Sequence, residues 1–134
     1  MYDPLGLISP LTLTGKTLYC EACDLKVAWN AILPKTLQRK WLTHERNLPC
    51  EVSLPRSLAK PEEPIESIEV DSFGDASRIG VSAAVYAVIQ QPSGADSGLV
   101  AAKSRLAKKG LTIPRLELMS GHMATNLVTM WKSP

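Results

Sequence analysis

Aromatic residues are scarce in this 134-residue chain: one Phe, three Trp and three Tyr. A core must therefore be largely aliphatic, and the 45% hydrophobic share is enough to build one. Cysteine is also rare, with only Cys20, Cys23 and Cys50. An odd count does not make a disulfide framework and fits a reducing, intracellular compartment. No apolar run approaches the roughly 18 residues needed to cross a bilayer, so no membrane partner is expected. The first residues include Asp3 and Pro4 and no basic stretch, which is not the pattern of a secretory leader. Acidic residues stop at Glu117, and none of the seventeen that follow is Asp or Glu.

What is present is unevenly placed. Fifteen basic residues against thirteen acidic ones leave a net charge of +2, too little to mark a nucleic-acid partner by itself. From Lys103 to Arg115, however, five basic residues (Lys103, Arg105, Lys108, Lys109 and Arg115) occur with no acidic one. Such a run is either a solvated surface or a set of phosphate contacts.

Hydrophobic spacing divides the chain. Ser9-Pro10 reads as a helix start, because a serine hydroxyl accepts from an early N–H and proline lacks only an N–H that would be unpaired anyway. Leu11, Leu18, Ala22, Leu25, Trp29 and Ile32 recur at helical spacing and predict a helix over about 10–30. Pro34 restarts the chain. Leu37, Trp41 and Leu48 mark a second helix, ending near Asn47, so residues 1–48 form a helical hairpin. Trp29 and Trp41 are expected in its core. Residues 49–66, with Pro49, Pro55, Pro61 and Pro64, read as a stiff exposed linker and a domain boundary.

Beyond it, over 67–134, come strand signals and one helix. Strands are expected at 65–74, 80–90 and 99–106, with Gln91 to Gly98 as a turn-rich loop. Pro114 to Trp131 reads as a helix with an apolar stripe of Leu116, Met119, Met123, Leu127 and Met130. A narrower stripe, Glu117, Gly121, Ala124 and Val128, would let that helix lie close to a sheet. The fold class is α+β: a helical hairpin followed by three antiparallel strands and one helix.

Two acids stand out in this layout. Asp75 closes the first strand, and Glu117 lies near the start of the last helix. Two carboxylates can share a divalent ion if the fold brings them to a common cavity. Alone they make only the first half of a metal site.

Several short words around them occur in one register. Asp71-Ser-Phe-Gly-Asp-Ala-Ser77, Ala84-Val-Tyr86, Ala102-Lys-Ser-Arg-Leu-Ala107 and Leu111-Thr-Ile-Pro-Arg-Leu-Glu-Leu118 resemble the ribonuclease H segment of BEL/Pao-type LTR retrotransposon polyproteins. Tyr2-Asp-Pro-Leu-Gly-Leu-Ile-Ser-Pro10 resembles the segment that follows the reverse transcriptase palm in those polyproteins. The resemblance implies a truncated ribonuclease H-like unit preceded by a thumb- or connection-like helical segment. It implies Asp75 and Glu117 as catalytic ligands for Mg²⁺, and an RNA–DNA hybrid as the partner of the parent protein. In that family further aspartates follow on later elements, and the fourth strand pairs with the first. The expectation is therefore weak or absent Mg²⁺ binding, no turnover by this chain alone, and an open sheet edge beside Asp75 for a protein partner. Lys103, Arg105, Lys108, Lys109 and Arg115 become candidate contacts to hybrid phosphates.

Other words carry less. Cys20-Glu-Ala-Cys23 with His44 and Cys50 has zinc-ligand chemistry but lies in a helical pattern without a second Cys-x-x-Cys, so idle thiols are expected. Gly15-Lys-Thr17 lacks the earlier glycine and preceding strand of a phosphate loop. His122 reads as a helix-surface histidine. The competing class is a non-enzymatic module that binds protein or nucleic acid without cutting it.

Overall fold

A computed structural model describes the chain except residues 1, 2, 4, 56, 133 and 134, and the side chains of 131 and 132. Tyr2 and Pro4 of the N-terminal word thus lie outside the described residues.

The first helix, α1, spans Ser9–Asp24. Ser9 does not cap it. The chain is turned into the helix by Asp3, whose carboxylate accepts from the N–H groups of Leu7 (2.9 Å) and Ile8 (3.0 Å). The helix is shorter than its apolar spacing predicts. Lys26 takes a left-handed φ of 51°, which α-helical hydrogen bonding cannot continue through. Helix α2 spans Lys35–Arg46, after Pro34. Buried Leu37 and His44 are its inward side chains, and His44 rests against Gly15 of α1. The helical hairpin is present, but Trp29 is not in its core: it is 90% exposed, and Trp41 is half exposed.

Three strands follow: β1 (Ser67–Ala76), β2 (Gly80–Gln91) and β3 (Gly94–Leu106). They form an antiparallel sheet in the order β1-β2-β3. Ser77 closes the first hairpin, its hydroxyl accepting from the N–H groups of Ile79 and Gly80 at 3.2 Å. The second turn is much tighter than Gln91 to Gly98. Gln91 pairs with Gly94, and Ala95 to Gly98 pair back to Gln90 through Ala87. The Gly, Ser and Asp residues that resemble loop chemistry are held in a strand by that pairing. A register shift between Val85 and Tyr86 leaves Val100 as the extra residue of a bulge.

Helix α3 spans Ile113–Lys132 and covers one face of the sheet. Its core is Val81, Ala83, Leu116, Met123 and Ala124, with Ala76, Leu111, Ile113 and Leu127 packed around it. Each fully buried aliphatic side chain there contributes about 1.5–3 kcal/mol. α1 lies on the other face, where Leu13 meets Gly80 and Ser9 meets Ser104. The result is α1 on one side, the sheet between, and α3 on the other.

The proline-rich segment 49–66 carries no helix or strand among its described residues. Its second half is tied down. Gln91, only 1% exposed, accepts from the Lys60 N–H and donates to the carbonyls of Lys60 and Glu63. Leu58 fits over Gly98, where β3 has no side chain. The segment read as a stiff exposed linker is therefore anchored to the β2–β3 hairpin.

Candidate metal and nucleic-acid site

Asp75 is the ninth residue of β1 and pairs with Ser82. Its neighbours Gly74 and Ala76 face α3, because side chains alternate along a strand. Asp75 therefore stands on the face away from α3, exposed. It lines a hollow of about 320 Å³ with Phe73, Ser82, Tyr86, Ser9 and Pro10. Phe73 and Tyr86 meet edge-on there, with ring centroids 6.0 Å apart.

Glu117 sits in the second turn of α3, also exposed. It does not wall the Asp75 hollow. The expectation of one cavity shared by both acids is thus not met on the sheet face. The pleat is the reason: the residue that faces α3 is Gly74, one position before Asp75.

β1 and α3 nonetheless meet at residues close in sequence to both acids. A Cβ on Gly74 would fall 2.8 Å from the Ser120 carbonyl carbon and oxygen and 3.1 Å from the Gly121 nitrogen. Only a glycine lets β1 and α3 approach this closely. Glu117 is one turn before Gly121, on the same side of the helix. β1 is the outer strand of the sheet, so this contact lies on the edge strand. The Glu117 carbonyl accepts from the buried Ser120 hydroxyl at 2.7 Å, which fixes that turn. Among the described residues, no three His, Cys, Asp or Glu side chains gather as a metal cluster. The donor set still suits a hard ion that takes one or two carboxylates and completes its shell with water and phosphate.

The basic run does not form one patch. Lys103 and Arg105 pair with Ala83 and Val81, which places both on the α3 face. They line a groove of about 810 Å³ with Met119, His122, Met123 and Met130. Lys109 points elsewhere and binds Asp24 of α1 at 3.0 Å. That contact raises the lysine's pKa, first through the hydrogen bond and then through the charge. Lys108 and Arg115 are exposed. Among the described residues, Lys109 alone of the five is in an ion pair.

His122 faces this groove and contacts Asn126 at 3.1 Å, away from Glu117. The three thiols are free and exposed. The grouping of Lys103, Arg105 and His122 was not read from the sequence. Its signal was available: lysine and arginine two apart on a strand share a face.

No curated protein and no solved structure matches the chain. A family model described as the Pao retrotransposon-like RNaseH-like domain matches residues 1–133, helical hairpin included. With a match of that extent over three antiparallel strands and a covering helix, the chain belongs to the Pao retrotransposon-like RNaseH-like domain family.

Proposed function

We propose that this chain supplies the first two acids, Asp75 and Glu117, of a Mg²⁺-dependent site that hydrolyses RNA in an RNA–DNA hybrid. One observation supports the reading: the backbone contact of Gly74 with Ser120 and Gly121, which brings the strand bearing Asp75 against the helix bearing Glu117. A bound Mg²⁺ would polarise the scissile phosphate and lower the pKa of an attacking water. The protein's part would be to hold Asp75 on the outer strand and Glu117 on the helix packed against that strand. Lys103 and Arg105 would then steady the duplex by its phosphates without reading sequence. Two carboxylates bind such an ion weakly, so the polypeptide by itself is proposed to be inactive as a nuclease.

The test is a Mg²⁺ titration of the chain followed by amide NMR, beside Asp75→Asn and Glu117→Gln. Saturable shifts confined to 74–76 and 116–121, lost in both variants, are expected. A response absent up to tens of millimolar Mg²⁺, or unchanged in the variants, would remove the metal site. Cleavage of a labelled hybrid by the isolated chain would overturn the proposed inactivity.

A further inference from the structure

The α1–α2 hairpin lines an apolar trough that none of the described residues fills. Its volume is about 550 Å³, and Tyr19, Val27, Trp29, Leu37 and Trp41 are among its walls. Trp29 is 90% exposed, and neighbouring Ile32 is also 90% exposed. A tryptophan left in water beside an open apolar hollow is the mark of a contact surface, not of a finished core.

Shape and charge select the occupant. The trough is lined by both helices and by the 25–34 connection between them, which suits a third helix packing against both. The twenty residues from Leu25 to His44 contain Lys26, Lys35, Arg39 and Lys40 and no acidic residue, and of these Lys40 is paired with Glu21 of α1 at 2.7 Å. The start of α2 adds to this field, because it has no side-chain cap and no acidic residue in its first turn. A single-stranded nucleic acid would also meet tryptophan and lysine. Base edges, however, would find few polar partners inside walls of Ala, Val and Leu.

We infer that the α1–α2 trough docks an amphipathic helix of another polypeptide, with leucine-type anchors toward Trp29 and Trp41 and acidic residues toward Lys26 and Lys35. This is independent of the metal edge, which lies on β1.

The test uses the full chain and a synthetic helix of about four turns, with Leu at i, i+3, i+4 and i+7 and Glu at the flanks. A second peptide carries Lys in place of Glu, and (dT)15 is the nucleic-acid probe. Saturable binding of the acidic peptide, with a blue shift of tryptophan emission, is expected. The lysine peptide should bind about tenfold more weakly or worse. Trp29→Ala should weaken the acidic peptide about tenfold with unchanged circular dichroism, since this side chain supports no core. Lys26→Glu with Lys35→Glu should reverse the preference between the peptides. Equal binding of both peptides, no saturable binding, or tighter binding of (dT)15 dependent on Trp29 would overturn the assignment. So would a concentration-dependent dimer of the chain that buries Trp29.

Discussion

α3 and α1 lie on opposite faces of one sheet, α3 over β1 and β2 and held by apolar burial, α1 against β3 and held by polar staples. Under α3 the contact is dry: Val81, Leu116, Met123 and Ala124 close over the sheet, and Gly74 admits the helix backbone. Under α1 the contact is built from hydrogen bonds to backbone carbonyls. The Ala102 N–H donates to the Leu5 carbonyl at 2.7 Å, and the Ser104 hydroxyl donates to the Ser9 carbonyl at 3.0 Å. Lys16 Nζ adds a bond to the Ser104 carbonyl at 2.9 Å. Gly6, at φ +75°, is required there, because a Cβ would overlap the Ala102 carbonyl. Burial is non-directional and large per side chain, whereas each hydrogen bond exchanges for one to water and nets little. The α3 face should therefore dominate stability, and the α1 face should fix position.

Leu116→Ala tests the first half of this contrast with the largest effect. It removes the most enclosed large side chain of the core. A loss of about 2–5 kcal/mol is expected in urea unfolding, enough to unfold a marginal domain. A loss under about 1 kcal/mol would mean that the α3 face is not the dominant one.

Ser104→Ala tests the second half. It deletes the staple to Ser9 and should cost about 0.5–1.5 kcal/mol. Exchange of the Ala102 amide should quicken while amides of β2 hold their protection. Equal loss of protection on both faces would show that α1 and α3 unfold as one unit and erase the distinction.

The smallest effect concerns the segment anchored to the β2–β3 hairpin. The Ser93 hydroxyl and N–H hold the Glu63 carboxyl below its ordinary pKa, with Lys60 assisting. A lowered folded pKa means that this contribution is complete above the unfolded value. It is lost as the pH falls through the folded one. Carbon-detected titration should place the Glu63 midpoint below that of free glutamate, and Ser93→Ala should return it toward the ordinary range. A midpoint unmoved by Ser93→Ala would detach the segment from the hairpin.

Much of the fold was legible, and the errors share a cause. The Leu, Ala and Val periodicities located all three helices and three strands, and Pro34 and Pro114 placed two helix starts within a residue. The end of α1 was not legible, because the left-handed turn at Lys26 serves the packing of α2 and not any local preference of lysine. The start of β3 was hidden because Gly94 to Gly98 are poor strand formers that cross-strand pairing overrides. Trp29 sits at helical spacing with Leu25 and Ile32, yet the helix stops before it and leaves it in water. At the candidate site, the identities of Asp75 and Glu117 came from their surrounding words. Only the close contact of Gly74 with Ser120 showed that the strand and the helix bearing them pack together.

The sequence by itself determined the kind and order of the elements, since side-chain period and backbone stereochemistry act within a few residues. It also carried the family membership, in short words that keep their register over the chain. Tertiary structure alone decided which face Asp75 occupies, why Lys109 leaves its basic neighbours, and why Trp29 is bare. Those outcomes depend on which distant surfaces meet, and a surface is buried only where its partner is present to exclude water.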